Sequence, residues 1–86
     1  MFADPDVSVV VPTRFRPDLV IRAVRSALAQ THHNLEVIVV VDGPDAATWD
    51  ALAAIDDLRL RVLMLPEPGG APNARNAGVR AVIAGA

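Results

Sequence analysis

Cysteine and lysine are absent from this 86-residue chain, aromatic residues make up only 3% of it, and no apolar run approaches the thickness of a bilayer. Each absence removes a class of function. Without cysteine there is no disulfide framework, no thiolate metal site and no cysteine nucleophile. The same absence suits a reducing compartment and sets the expectation of a cytoplasmic location. Without lysine there is no Walker-type phosphate loop, which depends on that ammonium. Scattered arginines in a chain of net charge −2 form no basic patch, and so few aromatics form no stacking platform, so no nucleic-acid partner is expected. The runs "VSVVVP" and "VIVVV" fall far short of the roughly 20 residues of a membrane span. The opening "MFADPD" is acidic, unlike the basic start of a signal peptide.

What is present is a half-hydrophobic chain, 52% by composition. That is enough to build a core and too apolar for disorder. The length fits one small domain or a piece of one, with residues 1–6 as a tail and 7–86 as the folded part. The pattern alternates strand and helix three times. "VSVVV" (7–11) is β-branched but for Ser8 and nearly all apolar, as expected of a strand covered on both faces, and Pro12 should end it. A helix follows from Pro17 to about Ala29, with Leu19, Val20, Ala23, Val24, Ala27 and Leu28 as its buried stripe. The second strand is "LEVIVVV" (35–41). Asp45 can cap the next helix, whose buried positions read as Trp49, Leu52 and Ala53, running to about Ile55. "LRVLML" (60–65) is the third strand, more alternating and so nearer a sheet edge. Pro72 suits the first turn of a last helix, in which Ala74, Ala77, Gly78, Ala81 and Val82 make a stripe of small side chains. The order predicts an α/β fold with helices on a parallel sheet, joined by right-handed crossovers. Periodicity alone leaves the strand order open between 3-2-1 and 2-1-3.

In an open parallel sheet, ligands bind at the carboxyl ends of the strands. Pro12, Thr13 and Arg14 follow the first strand, Asp42 and Gly43 the second, and two glycines then Arg75 the third. Thr13, Asp42 and Arg75 therefore share one rim. Each also has a structural reading. Thr13 could cap a helix, and Asp42 could support its own turn. Arg75 would be a poor electrostatic choice in a first helical turn, where the helix favours anions, unless a carboxylate or a bound phosphate meets it. His32, His33, Asp56 and Asp57 fall on the opposite rim and read as solvated. The glycines do not match the dinucleotide fingerprint, which would follow the first strand.

The strand ending in Pro12-Thr13, the helix end with Ser26, Gln30 and Thr31, the strand "EVIVVVDG" (36–43) and "ARNAG" (74–78) stand in order. Together they resemble the amino-terminal part of family 2 glycosyltransferases of the GT-A fold, over about Val7 to Gly85. The resemblance implies half of a Rossmann-like domain, strand order 3-2-1, and a site for a nucleotide-diphosphate sugar donor of the uridine type. On that resemblance Pro12 and Thr13 line the nucleobase pocket, Asp42 accepts from the base edge, and Arg75 lies by the nucleotide; Arg14 and Gly43, their neighbours on the rim, are counted with them as nucleotide-binding candidates. The family often has Asp-Asp-Gly-Ser where this chain has Val41-Asp42-Gly43-Pro44, so the first aspartate is replaced and the base-binding one kept.

The family's Asp-x-Asp motif, which holds a Mg or Mn ion, belongs to the strand after Gly85, and its catalytic base comes later still. No catalytic or metal residue is therefore assigned within these residues. The expectation is an amino-terminal, donor-binding portion that binds nucleotide sugar weakly and turns nothing over. The competing reading is a non-catalytic nucleotide-binding or partner module of the same half-fold. A phosphorelay receiver would need acidic residues after the first strand and an aspartate after the third, where this chain has Pro-Thr-Arg and Pro-Glu-Pro. With order 3-2-1, residues 7–11 form an uncovered edge that invites self-association.

Overall fold

The computed structural model describes residues 7–30 and 34–85. The expected tail at 1–6, together with Thr31, His32 and His33, lies outside the described residues. Six elements follow in order: β1 (Val7–Thr13), α1 (Pro17–Leu28), β2 (Leu35–Val41), α2 (Ala46–Ala53), β3 (Leu60–Met64) and α3 (Ala71–Gly85). The strands form one parallel sheet with β2 in the centre, paired Val9 to Val37 on one side and Val39 to Val62 on the other. The order read from β3 is 3-2-1. This is the α/β, half GT-A arrangement.

The composition of β2 follows from that central place. Val37, Ile38, Val39, Val40 and Val41 are all fully buried, so neither face needs polar residues. Val37, Val39 and Val41 meet α1 and α2 through Val20, Val24, Ala27 and Leu52. Ile38 and Val40 meet α3 through Ala74, Ala77, Ala81 and Val82. The result is a helix layer on each face of the sheet.

Helix α3 lies close because its stripe is small, as its sequence predicts. A β-carbon at Gly78 would collide with Val10 and sit 3.2 Å from Val40 Cγ2. The glycine therefore sets the distance between α3 and β1.

Three sequence expectations need correction. Pro12 does not end β1, which continues through Thr13 paired with Val41. The Thr13 carbonyl accepts from the Asp42 N–H at 2.9 Å, so alternate residues 9, 11 and 13 turn their backbones towards β2. Pro12 turns away from it, where its missing donor breaks no bond. In α1, Leu19 is 51% exposed and Ala23 is exposed as well. The buried stripe is Val20, Val24 and Ala27, with Ile21 and Leu28 beside it. In α2 the inward face is Thr48 and Leu52, while Trp49 is 41% exposed and Ala53 is exposed. Asp45 draws Thr48 inward: its Oδ1 accepts from the Thr48 N–H at 3.2 Å and its Oδ2 from the Thr48 hydroxyl at 2.6 Å. Fixing Thr48 there rotates Trp49 out by one residue's turn. The helix itself stops at Ala53, with Ala54 as its C-cap.

The rim opposite the candidate site is tied rather than simply solvated. Asp57 accepts from Arg59 Nη2 at 2.8 Å, and the same guanidinium donates to the Leu28 carbonyl at 3.1 Å. Arg59 thus closes the end of α1 and anchors the turn into β3. Bonding from Arg59 holds the Asp57 carboxyl below its ordinary value. Among the described residues, no helix is long and apolar enough to cross a membrane.

Candidate functional site

The carboxyl ends of β1 and β2 open on a cavity of about 410 Å³, lined by Val11, Pro12, Thr13, Arg14, Arg16, Leu19, Val20, Ala23 and Asp42. It has one apolar wall from α1 and one polar lip from the residues after β1. The exposure of Leu19 and Ala23 now has a cause, since they face this cavity instead of the core. Its size lies within the ~300–1,000 Å³ of small-molecule sites, and the mix of apolar wall and few polar groups is typical of them.

Thr13 reaches the rim because β1 runs on past Pro12. It does not cap α1, whose N-cap is Arg16 with no side-chain cap bond. Phe15 has φ of 55°, a left-handed conformation that a bulky residue rarely adopts. Its N–H donates to Asp45 Oδ2 at 2.6 Å, across 30 residues of chain. The Arg14 guanidinium lies 4.7 Å from the centre of the Phe15 ring, a cation–π distance. The Thr48 hydroxyl is the largest cause holding the Asp45 carboxyl below its ordinary 3.8; burial opposes it, and the N–H groups of Phe15 and Thr48 and the charge of Arg14 reinforce it.

Asp42 is buried at the end of β2, 6% exposed. Its Oδ1 accepts from the Gly69 N–H and its Oδ2 from the Gly70 N–H, both at 2.9 Å. The carboxylate does not support its own turn. It holds the loop that leads into α3, and it still lines the cavity. Gly43 takes φ of 98° and sits against Pro68, whose nitrogen would be 3.0 Å from an added β-carbon. This contact fastens the loops after β2 and β3 together.

The sequence-expected residues therefore divide. Pro12, Thr13, Arg14 and Asp42 meet in one cavity. Gly43 stands behind Asp42, against Pro68 rather than among the lining residues. Arg75 is exposed on α3, the helix on the other face of the sheet from α1, and it is not a lining residue. No ion pair among the described residues joins Arg75 to Asp42, each of whose oxygens accepts from a glycine N–H.

Sequence reasoning missed Arg16 as a lining residue and saw Asp45 only as a helix cap. The cap was legible because Asp is a favoured residue just before a helix. Its bond to Phe15 was not, because nothing local marks a partner 30 positions away. Among the described residues, no three acidic or histidine side chains come together as a metal site.

A family model described as "Glycosyl transferase family 2" matches residues 8–83. The chain is 44% identical over 77 residues to the succinoglycan biosynthesis protein ExoO of Rhizobium meliloti, covering 90% of this chain and 22% of that one. It is 32% identical to the UDP-Glc:alpha-D-GlcNAc-diphosphoundecaprenol beta-1,3-glucosyltransferase WfaP of Escherichia coli, covering 86% and 30%. It is 36% identical to glycosyltransferase GlyG of Streptococcus pneumoniae, covering 85% and 25%. The chain thus spans under a third of the length of these relatives. With the family model matched along nearly all of its length, over a parallel half-domain with a cavity at the strand ends, the chain belongs to glycosyl transferase family 2.

Proposed function

We propose that these residues form the donor-nucleotide-binding portion of an enzyme that transfers a sugar from a nucleotide-diphosphate sugar to an acceptor. The observation that carries this reading is the cavity at the carboxyl ends of β1 and β2, lined by Thr13, Arg14, Arg16 and Asp42. Its apolar wall of Val11, Leu19, Val20 and Ala23 suits the flat face of a base, and its two arginines suit phosphate oxygens. A uridine diphosphate is the proposed donor nucleotide, in keeping with the UDP-Glc in the name of the Escherichia coli relative. The chain supplies positioning only. The divalent cation that the family uses would stabilise the diphosphate leaving group. On the family resemblance the metal ligands and the catalytic base belong to the strands that follow this half-domain in the full enzyme.

Calorimetric titration of the chain with UDP and with GDP tests this reading. UDP binds saturably and more tightly than GDP, and no sugar transfer is detected. Thr13→Val removes the hydroxyl at constant shape and weakens UDP about tenfold, the scale of one lost polar contact. Arg75→Ala decides whether α3 takes part, since unchanged affinity removes Arg75 from the site. Absence of binding to both diphosphates refutes the proposal.

A further inference from the structure

The arginines of the cavity sit on a turn that cannot hold itself. Helix α1 begins without a side-chain cap, and Phe15, between Arg14 and Arg16, is in the left-handed region at φ of 55°. A bulky residue held there costs about 1–3 kcal/mol unless its surroundings impose the conformation. One group imposes it. Asp45 Oδ2 accepts the Phe15 N–H at 2.6 Å, and the same carboxylate is locked in place by the N–H and hydroxyl of the fully buried Thr48. Asp45 is itself only 5% exposed and does not line the cavity.

We infer that Asp45 is a positioning residue: it holds the Arg14–Arg16 turn so that both arginines line the cavity, where they meet the phosphates of the donor nucleotide. This inference rests on the nucleotide reading for its ligand, and on geometry alone for the turn. The arrangement also fits the charges. A buried carboxylate beneath the turn balances the arginines when the cavity is empty, and its bonds to three donors keep it from competing with the ligand's phosphates.

The chemistry of one substitution separates positioning from mere capping. Asn is as good an N-cap as Asp, so in Asp45→Asn the amide oxygen can still accept from the Thr48 N–H. Its second polar atom is a donor, and it faces the Phe15 N–H with nothing to accept. Thr48→Val is the matched structural control. It removes the hydroxyl bond beneath the carboxylate and leaves the bond to Phe15. The 86-residue chain carrying each change is compared by thermal melting, by the amide proton signals of Phe15 and Arg16 in NMR spectra, and by UDP titration.

Both variants melt below wild type. Only Asp45→Asn shifts the Phe15 and Arg16 signals, and only it weakens UDP, by about tenfold for the lost arginine contacts. Added to an Arg14→Ala/Arg16→Ala background, Asp45→Asn weakens UDP no further, because residues acting through one another are not additive. An unmoved Phe15 signal, an affinity that follows the melting midpoint in all variants, or full additivity overturns the inference. If wild type binds neither UDP nor GDP, the nucleotide reading fails by itself. The Phe15 signal then decides the role of Asp45 alone: a moved signal upholds its hold on the turn, and an unmoved one overturns it.

Discussion

Replacing Asp42 tests whether this carboxylate serves the loop, the ligand or both. In the folded chain it accepts from Gly69 and Gly70 at 2.9 Å each, and it is 6% exposed. A hydrogen bond to a charged group contributes about 1.5–3 kcal/mol net. The two glycines are exposed, so water can reach their N–H groups once the carboxylate is gone. No full desolvation penalty is therefore added, and with two such bonds lost Asp42→Ala should cost about 3–6 kcal/mol. Asp42→Asn keeps one acceptor for two donors and should cost about half as much, ~1.5–3 kcal/mol. A domain of this size has roughly 4–13 kcal/mol in total, so both variants remain folded over much of that range. Midpoints move by about 4–8 °C per kcal/mol in domains of 60–100 residues. The order of melting by circular dichroism is wild type, then Asn, then Ala, and amide exchange at Gly69 and Gly70 accelerates in the same order. If Asp42→Ala melts within about 2 °C of wild type yet loses UDP, the loop role is refuted and the carboxylate belongs to the ligand alone. If it melts lower, loss of UDP by this variant is not by itself proof of a base contact, and the Asn variant carries the comparison.

Two further predictions concern packing and acid. Gly78→Ala would gain about 1 kcal/mol of helix propensity on an open helix, but here its methyl collides with the stiff Val10, and overpacking costs about 1–3 kcal/mol; a lowered urea midpoint is expected, with recovery in Gly78→Ala/Val10→Ala, whereas a raised midpoint would show that α3 can move off the sheet freely. Asp45 and Asp57 both have carboxyls held below the ordinary 3.8, so their contribution is complete above that value and is lost as pH falls through their lower folded values; urea unfolding from pH 7 downward should show stability failing below pH 3.8, less steeply in Asp45→Asn, and an identical acid slope in that variant would refute the assignment.

The sheet was legible because β2 is so unlike its surroundings. Seven residues from Leu35 to Val41 carry one charge, and only a strand covered on both faces can afford that composition. The small stripe of α3 was legible for a related reason, since Ala74 and Gly78 have no other use for so little side chain. The faces of α1 and α2 were misjudged where an apolar residue is recruited away from the core. Leu19 and Ala23 face a cavity, and Trp49 was displaced by a polar residue, Thr48, that Asp45 satisfies in the interior. Periodicity counts apolar positions and has no means of seeing either. The candidate site followed the same rule. Pro12, Thr13, Arg14 and Asp42 could be placed together from topology, because strand ends share a rim. That Asp42 grips Gly69 and Gly70, and Asp45 grips Phe15, depends on side-chain reach across 27 to 30 positions, which no spacing announces.

Pro12 within β1 has a consequence for anything that docks against this sheet. The outward backbone of β1 presents Ser8, Val10 and Pro12, so it offers N–H donors along its first half and carbonyl oxygens alone at its end. A strand added at this edge can pair alongside Ser8 and Val10, but at Pro12 it finds a carbonyl and no N–H donor, so one ladder bond is missing there. The edge is thus weakest as a template next to Thr13, where Pro12 and Thr13 also line the cavity.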